Sequence, residues 1–331
     1  MKKISLTGDR PTGKLHIGHL LGSLNLRVKM QDEFDQFIMI ANSQALTDNF
    51  DHPEKVKEST LELLQDYYAV GIDYSKNHIF LQSEVNEVHE IAFYLSNFTT
   101  LQQLLQNPTL KSELIQKNFL KSSPLGFIYY PHHQCGDILA VNANVVPVGK
   151  DQAPMVEHAR DVARKFNSTY DCNVLVEPEA YFGTMKNIPG IDGNIKMGKS
   201  LNNCIYLSDD EATLREKVFK VYTDPTRIHK TDKGHIEGNI AFTYHDAFND
   251  NFEEVEDLKK RYQEGTVGDV EVKEKLFIAM NKKLSPIRER RIDAKEKIKE
   301  LYEVMKEHTK YTKNIASETV DKMKEAMKIK I

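Results

Sequence analysis

His16 and His19 stand three residues apart at the end of a glycine-punctuated turn, Thr7-Gly8-Asp9-Arg10-Pro11-Thr12-Gly13-Lys14-Leu15-His16-Ile17-Gly18-His19. Imidazoles at that spacing share one side of a first helical turn. There they can donate hydrogen bonds to phosphate oxygens as charge develops during a displacement. The glycines let an anion approach the backbone, and the start of a helix offers it free N–H groups and a favourable dipole. The spacing matches neither the Walker pattern Gly-x-x-x-x-Gly-Lys-Ser/Thr nor the dinucleotide pattern Gly-x-Gly-x-x-Gly, so those two nucleotide folds become second choices.

A second group, Lys196-Met197-Gly198-Lys199-Ser200, follows the loop Ile188-Pro189-Gly190-Ile191-Asp192-Gly193. Two ammonium groups and a hydroxyl on a mobile loop suit a polyphosphate that is gripped in the transition state and released as pyrophosphate. Alone, paired lysines usually mean a solvated surface. Their weight here comes from occurring together with the imidazole turn.

The elements that must position these groups alternate. Ile4 to Leu6, Phe37 to Ala41, His78 to Leu81 and Asn173 to Val176 read as strands, and Leu20 to Val28 and Pro53 to Val70 read as helices. That alternation predicts an α/β chain with a parallel sheet. Pro53 suits a first helical turn, and Val56, Leu61, Leu63, Leu64 and Tyr67 fall mostly on one face of the second helix. Residues from about 97 to 122 read as a helical insertion. Ser208 and Glu211 have capping-box spacing ahead of Leu214, Val218 and Val221. From Phe252 onward the sequence is helix-forming almost throughout. The expected organisation is a Rossmann-like nucleotide-binding catalytic domain over 1–206, with a mobile lysine loop over about 188–203. An all-α carboxy-terminal region follows over 207–331.

With His-Ile-Gly-His complete and Lys-Met-Gly-Lys-Ser in place of Lys-Met-Ser-Lys-Ser, the chain resembles the class I aminoacyl-tRNA synthetases. Further stretches are similar to the tryptophanyl subgroup. They are Ser43-Gln44-Ala45-Leu46-Thr47-Asp48, Tyr130-Pro131-His132-His133-Gln134-Cys135-Gly136-Asp137-Ile138-Leu139, Val146-Pro147-Val148-Gly149-Lys150-Asp151-Gln152 and Phe166-Asn167. The resemblance runs from Thr7 to about His245. It implies activation of L-tryptophan by magnesium-bound ATP, then transfer to tRNA(Trp) by a homodimer. No permanent metal is implied. His16, His19, Lys196 and Lys199 would carry the chemistry.

The resemblance places ATP along Arg10, Pro11, Thr12, Gly18, His19, Gly149, Lys150, Asp151, Lys196, Met197, Gly198, Lys199 and Ser200. It places tryptophan among Leu6, Gly8, Arg10, Gln44, Tyr130, Gln134, Asp137 and Gln152. Asp137 would accept the indole N–H, and Tyr130, Gln134 and Gln152 would hold the α-ammonium group. Gly198 removes one hydroxyl from the family pattern, and Lys150 stands where Glu is more usual. A tyrosine-specific enzyme of the same fold is the near alternative. A nucleotidyltransferase of cofactor synthesis would leave the all-α third unexplained, and a non-catalytic RNA-binding relative would not need the complete His-Ile-Gly-His.

Charge bounds the partners. With 45 basic and 49 acidic residues the formal net charge is −4, so no global basic field draws in polynucleotides and any such contact is local. The resemblance makes the helical region 207–331 the binder of the tRNA anticodon, and since the last fifty residues carry 15 basic and 9 acidic side chains, Lys282, Lys283, Arg288, Arg290 and Arg291 are the candidate tRNA contacts. Cys135, Cys172 and Cys204 form no Cys-x-x-Cys pair, which argues against a disulfide framework or a cysteine zinc site. No signal-like leader or run of about 18 apolar residues occurs, which predicts a soluble cytoplasmic protein without membrane contact.

Overall fold

The computed structural model describes residues 2–330 apart from 48, 117, 118, 120, 121, 151, 183–187, 195, 196 and 230. Strand β1 (Ile4–Asp9) runs into the glycine turn and then α1 (Ile17–His19). One π turn (Leu20–Leu24) separates α1 from α2 (Asn25–Met30). β2 (Asp35–Ile40) and the short α3 (Asn42–Ala45) precede the crossover helix α4 (Pro53–Val70). That helix starts at Pro53, stops at a left-handed Gly71 and buries Val56, Leu63, Leu64 and Tyr67, while Leu61 turns outward.

β3 (Asn77–Leu81) leads to α5 (Glu87–Leu95) and then to the insertion helices α6 (Leu101–Gln106) and α7 (Pro108–Gln116). α8 (Leu125–Ala140), β4 (Val145–Pro147), α9 (Ala153–Thr169) and β5 (Glu179–Tyr181) complete the sheet domain.

Among the described residues all four strand pairings are parallel, in the order β3-β2-β1-β4-β5. Alternation along β2 sends Ile38 and Ile40 into one apolar core and Phe37 and Met39 into the other, so helices cover both faces. Strand order reverses at β1, between the β2 and β4 sides. Ligands bind open α/β sheets at such a point, outside the carboxyl ends of the strands.

The expected strand at 173–176 is not one. Asn167 donates to Leu175 O (2.7 Å) and accepts from Leu175 N–H (3.1 Å), while Val176 N–H donates to Asn142 Oδ1 (2.9 Å). Side-chain amides thus satisfy a backbone that apolar composition alone would send to a ladder. The sheet gains β4 and β5 instead.

Beyond the sheet lie α10 (Glu211–Phe219), α11 (Ile240–Phe248), α12 (Phe252–Glu264), α13 (Asp269–Glu296) and α14 (Ile298–Ala326). Asp210 rather than Ser208 caps α10, through Thr213 N–H at 2.7 Å. α14 does not stay with the helices before it. It returns to the edge strand, where His308 Nδ1 and Thr309 Oγ1 accept from the β3 amides of Ile79 (3.3 Å) and Leu81 (3.1 Å). Ala316, Val320 and Met323 then join the sheet core. A helix thereby covers an edge that would otherwise expose unpaired amides. The last helix thus packs on the sheet, although it lies in the carboxy-terminal stretch of the sequence.

Candidate active site

A cleft of about 800 Å³ opens at the switch point. Its walls come from the end of β1 (Leu6 to Arg10), the imidazole turn (His16, Gly18, His19), Gln44 after β2, α8 (Tyr130, Gln134, Asp137) and the β4–α9 connection (Gly149, Gln152). Met197 joins them from the lysine loop. One space therefore unites all eight residues assigned to tryptophan and several of those assigned to ATP.

The imidazole turn is built by reciprocal capping. His16 Nδ1 accepts from Gly18 N–H (3.1 Å), and His19 Nδ1 accepts from His16 N–H (3.2 Å). A side chain at position 18 would put its Cβ 2.8 Å from the His16 ring, so glycine is needed for this cap. With both Nδ1 atoms accepting, the neutral rings carry their protons on Nε2. Burial, the neighbouring ring and Lys199 hold His16 down to about 2. Burial, outweighing the pull of Asp9, holds His19 down to about 4. Both rings are thus neutral donors at physiological pH, with their tautomers set by the backbone.

The two sequence groups meet. Ile17 N–H donates to Ile205 O and Leu207 N–H to Leu15 O, each at 3.0 Å, which ties the segment after the lysine loop to the imidazole turn. Lys199 Nζ crosses the gap to donate to Gly13 O at 2.8 Å. Burial lowers the Lys199 pKa. Gly198 N–H is held by Asn203 Oδ1 at 2.9 Å, so the backbone at the departing position already has a defined orientation. Lys196 and Asp151 lie outside the described residues, as does the Ser200 side chain. Lys150 is exposed, while Pro11 is buried and Thr12 partly so in the turn beside the cleft.

Four supporting residues escaped sequence reasoning. Arg27 of α2, buried behind β1, donates to both Asp9 oxygens (2.5 and 3.2 Å) and to Gly8 O (3.3 Å). Tyr67 adds a bond to Asp9 Oδ2 at 2.7 Å. Burial would raise the Asp9 pKa, yet Arg27 outweighs it and holds the carboxyl at about 2. This charged pair braces the strand end that enters the cleft. Glu113 reaches in from the insertion to accept from the Tyr130 hydroxyl at 2.9 Å.

Gln82 is the fourth. Its Nε2 donates to Asp137 Oδ1 (2.8 Å) while its Oε1 accepts from Gln44 N–H (3.0 Å). Asp137 Oδ2 is buried without a hydrogen-bond partner among the described residues, 3.7 Å from His133 Nδ1. Burial pulls the His133 pKa down, but Asp137 prevails and the net shift is upward. Close approach of helices sets this geometry, because a Cβ at Gly136 would stand 2.3 Å from Val88 O on α5.

The basic cluster divides. Lys282 is exposed, Lys283 pairs with Asp250 (2.6 Å) and Arg288 contacts Asn281. Arg290 Nε donates to Ala69 O (2.6 Å), and Arg291 bonds Asp66 (2.7 Å) and Glu62 on α4. The expectation of an open basic surface therefore does not hold for Arg291, whose side chain is 15% exposed and already committed to α4. Asp66 in turn accepts from Leu15 N–H at 3.1 Å, linking α13 through α4 to the imidazole turn.

The model of the tRNA synthetases class I (W and Y) matches residues 2–285. The tryptophan–tRNA ligase of Streptococcus pneumoniae is 47% identical, with 98% of each chain covered. That of Clostridium longisporum is also 47% identical over 99% of this chain and 97% of its own. Among solved structures, the tryptophanyl-tRNA synthetase of Campylobacter jejuni complexed with ADP and tryptophan is 31% identical. It superimposes with a TM-score of 0.85 over 98% of this chain and 99% of that one.

Proposed function

The chain belongs to the class I tRNA synthetases of the tryptophan and tyrosine group, and from that premise we propose how its cleft activates L-tryptophan with ATP and passes it to tRNA(Trp). The reaction is a ligation in two steps. Tryptophan carboxylate attacks the α-phosphorus of ATP, the bond to the β-phosphate oxygen breaks, and pyrophosphate leaves. A ribose hydroxyl at the tRNA terminus then attacks the carbonyl of the mixed anhydride, and AMP leaves as the hydroxyl proton is lost. Magnesium arrives with ATP as part of the substrate.

One observation carries the choice of amino acid: the buried Asp137 Oδ2 on a cleft wall, with no hydrogen-bond partner among the described residues and with its other oxygen fixed by Gln82. A buried carboxylate aimed at a substrate donor rewards the indole N–H and penalises side chains that lack one, because its oxygen then stays unpaired. Tyr130, Gln134 and Gln152 hold the ammonium end. On the nucleotide side Arg10, Pro11, Thr12 and Gly18 line or support the triphosphate path, with Gly149, Lys150 and Asp151 along the adenosine. No protein nucleophile is required. His16 and His19 donate through Nε2 to the phosphates, and Lys196 and Lys199 neutralise the leaving pyrophosphate, assisted by the Met197-Gly198 backbone and Ser200.

ATP–pyrophosphate exchange tests the reading. With all twenty amino acids supplied in parallel, tryptophan alone should support rapid exchange; equal exchange with tyrosine would overturn the assignment. Lys199→Ala should depress exchange by orders of magnitude while leaving tryptophan affinity within about threefold, since Lys199 bonds Gly13 O and does not line the amino-acid wall. A homodimer in the cytoplasm completes the reading. Exposed Leu101, Ile115 and Leu125 on and beside the insertion support contact between copies, and sedimentation at a single chain's mass would refute it. Of the basic cluster, exposed Lys282 is the side chain best placed to meet tRNA, since Lys283, Arg288, Arg290 and Arg291 already contact neighbours within the chain.

A further inference from the structure

Beside the tryptophan wall, on the opposite side of α8, His132, Cys135 and His158 bring one ligand atom each within 4.8 Å of one another. His132 and Cys135 are i and i+3 on α8, so they share a face, and His158 comes across from α9. Nothing in the adenylation chemistry uses them. We propose that these three side chains bind one borderline divalent cation, Zn²⁺, which ties α8 to α9.

The donor set is two imidazoles and a thiolate, which suits zinc rather than a hard cation such as magnesium. His132 Nδ1 and His158 Nε2 are 3.4 Å apart. Two nitrogens each about 2.0 to 2.1 Å from a tetrahedral zinc are separated by about that distance. The outer partner is also present, because His132 Nε2 lies 3.0 Å from Ala92 O. A carbonyl accepts only, so Nε2 carries the proton and Nδ1 presents its lone pair inward. That is the usual support of a metal-bound histidine.

In the free protein His158 Nε2–H donates to His132 Nδ1. On binding, His158 carries its proton on Nδ1 instead, and the Cys135 thiol loses one proton to solvent as its sulfur–metal bond forms. His132 and Cys135 are buried while His158 is half-buried, so the ion enters from the His158 side and takes a solvent ligand there.

The consequence is mechanical. α8 carries Tyr130, Gln134 and Asp137, and α9 begins just after Gln152, so the ion clamps two walls of one pocket. No Cys-x-x-Cys spacing marks this cluster in the sequence, because its third ligand comes from the next helix.

Cobalt(II) titration of the chelator-treated full chain tests this. The wild type should develop a thiolate-to-cobalt charge-transfer band saturating at one equivalent, and Zn²⁺ should abolish the band. Cys135→Ser should lack it. His158→Gln, at a half-buried position where folding is safe, should bind cobalt at least about tenfold more weakly. No band in the wild type, or a band that persists in Cys135→Ser through Cys172 or Cys204, overturns the site. If Cys135→Ser does not fold, undiminished affinity in His158→Gln overturns it equally. Because the readout is absorption, it stands or falls separately from aminoacylation.

Discussion

Replacing Gln82 by Met changes little in volume but removes both of its polar bonds. Gln82 is fully buried and lies behind the cleft wall, so the variant acts on tryptophan only through Asp137 and the Gln44 backbone. The 2.8 Å bond from Nε2 to Asp137 Oδ1 is charge-assisted, worth about 1.5 to 3 kcal/mol. Without it the carboxylate has no hydrogen-bond donor on either oxygen among the described residues, and it must rotate toward His133 or draw in a water. Either response withdraws the acceptor that faces the substrate. Losing an indole N–H to carboxylate bond of similar worth weakens tryptophan binding by between about 10-fold and about 150-fold.

ATP affinity should stay within about twofold, because Gln82 is far from the phosphate side. The chain contains no tryptophan, so indole-selective excitation is free of protein emission, and the anisotropy of the substrate's own indole gives the dissociation constant without turnover. Exchange kinetics then supply the KM for each substrate. In a double-mutant cycle with Asp137→Asn the two losses should be strongly non-additive, since the residues touch. Unchanged tryptophan affinity in a folded Gln82→Met, or simple additivity in the cycle, would refute the idea that Gln82 works by holding Asp137.

Two further outcomes follow from buried charge. His16 and His19 are held at about 2 and about 4, below the 6.5 of an unfolded histidine, so between pH 6.5 and 4 the unfolded chain binds more protons and stability falls as pH falls. Each ring contributes a slope of at most about 1.4 kcal/mol per pH unit, and His19→Asn should reduce the fall in urea midpoint between pH 7 and 5, an identical slope counting against the argument. Arg291→Met strands the buried Asp66 carboxylate and should cost about 3 to 5 kcal/mol, whereas exposed Lys282→Ala should change stability by less than about 0.5 kcal/mol. If Lys282 meets a phosphate, its loss should also lower the salt dependence of tRNA binding by about one counterion; equal stability effects at 282 and 291 would refute the division of the cluster.

What the sequence made legible were groups whose chemistry is local. The glycine turn, the imidazole pair and the first three strands announce themselves within a few residues, and the convergence of the lysine loop on that turn followed from the chemistry of a triphosphate. What escaped was recognition between distant polar side chains. Nothing adjacent to Gln82 marks it as the partner of Asp137, and Arg27 reads as a charge on an amphipathic helix although it lies buried against Asp9. The 173–176 segment misled because apolar composition measures burial and not hydrogen-bond partner, which Asn142 and Asn167 supply here.

The same reason explains α14. Its amphipathic pattern predicts a helix with one buried face but does not say against what, and the answer depends on a strand edge more than two hundred residues earlier whose amides need acceptors. Buried polar groups must be paired wherever the chain can bring a partner, so supporting residues are drawn from anywhere in the sequence. The groups that line the cleft sit in a few short stretches of sequence, at strand ends, in the imidazole turn and on one face of α8. A reader of sequence therefore finds the chemistry of such a cleft before finding what holds it in place. In this protein the missed residues Gln82, Arg27, Tyr67 and Glu113 all bond to residues that line the cleft.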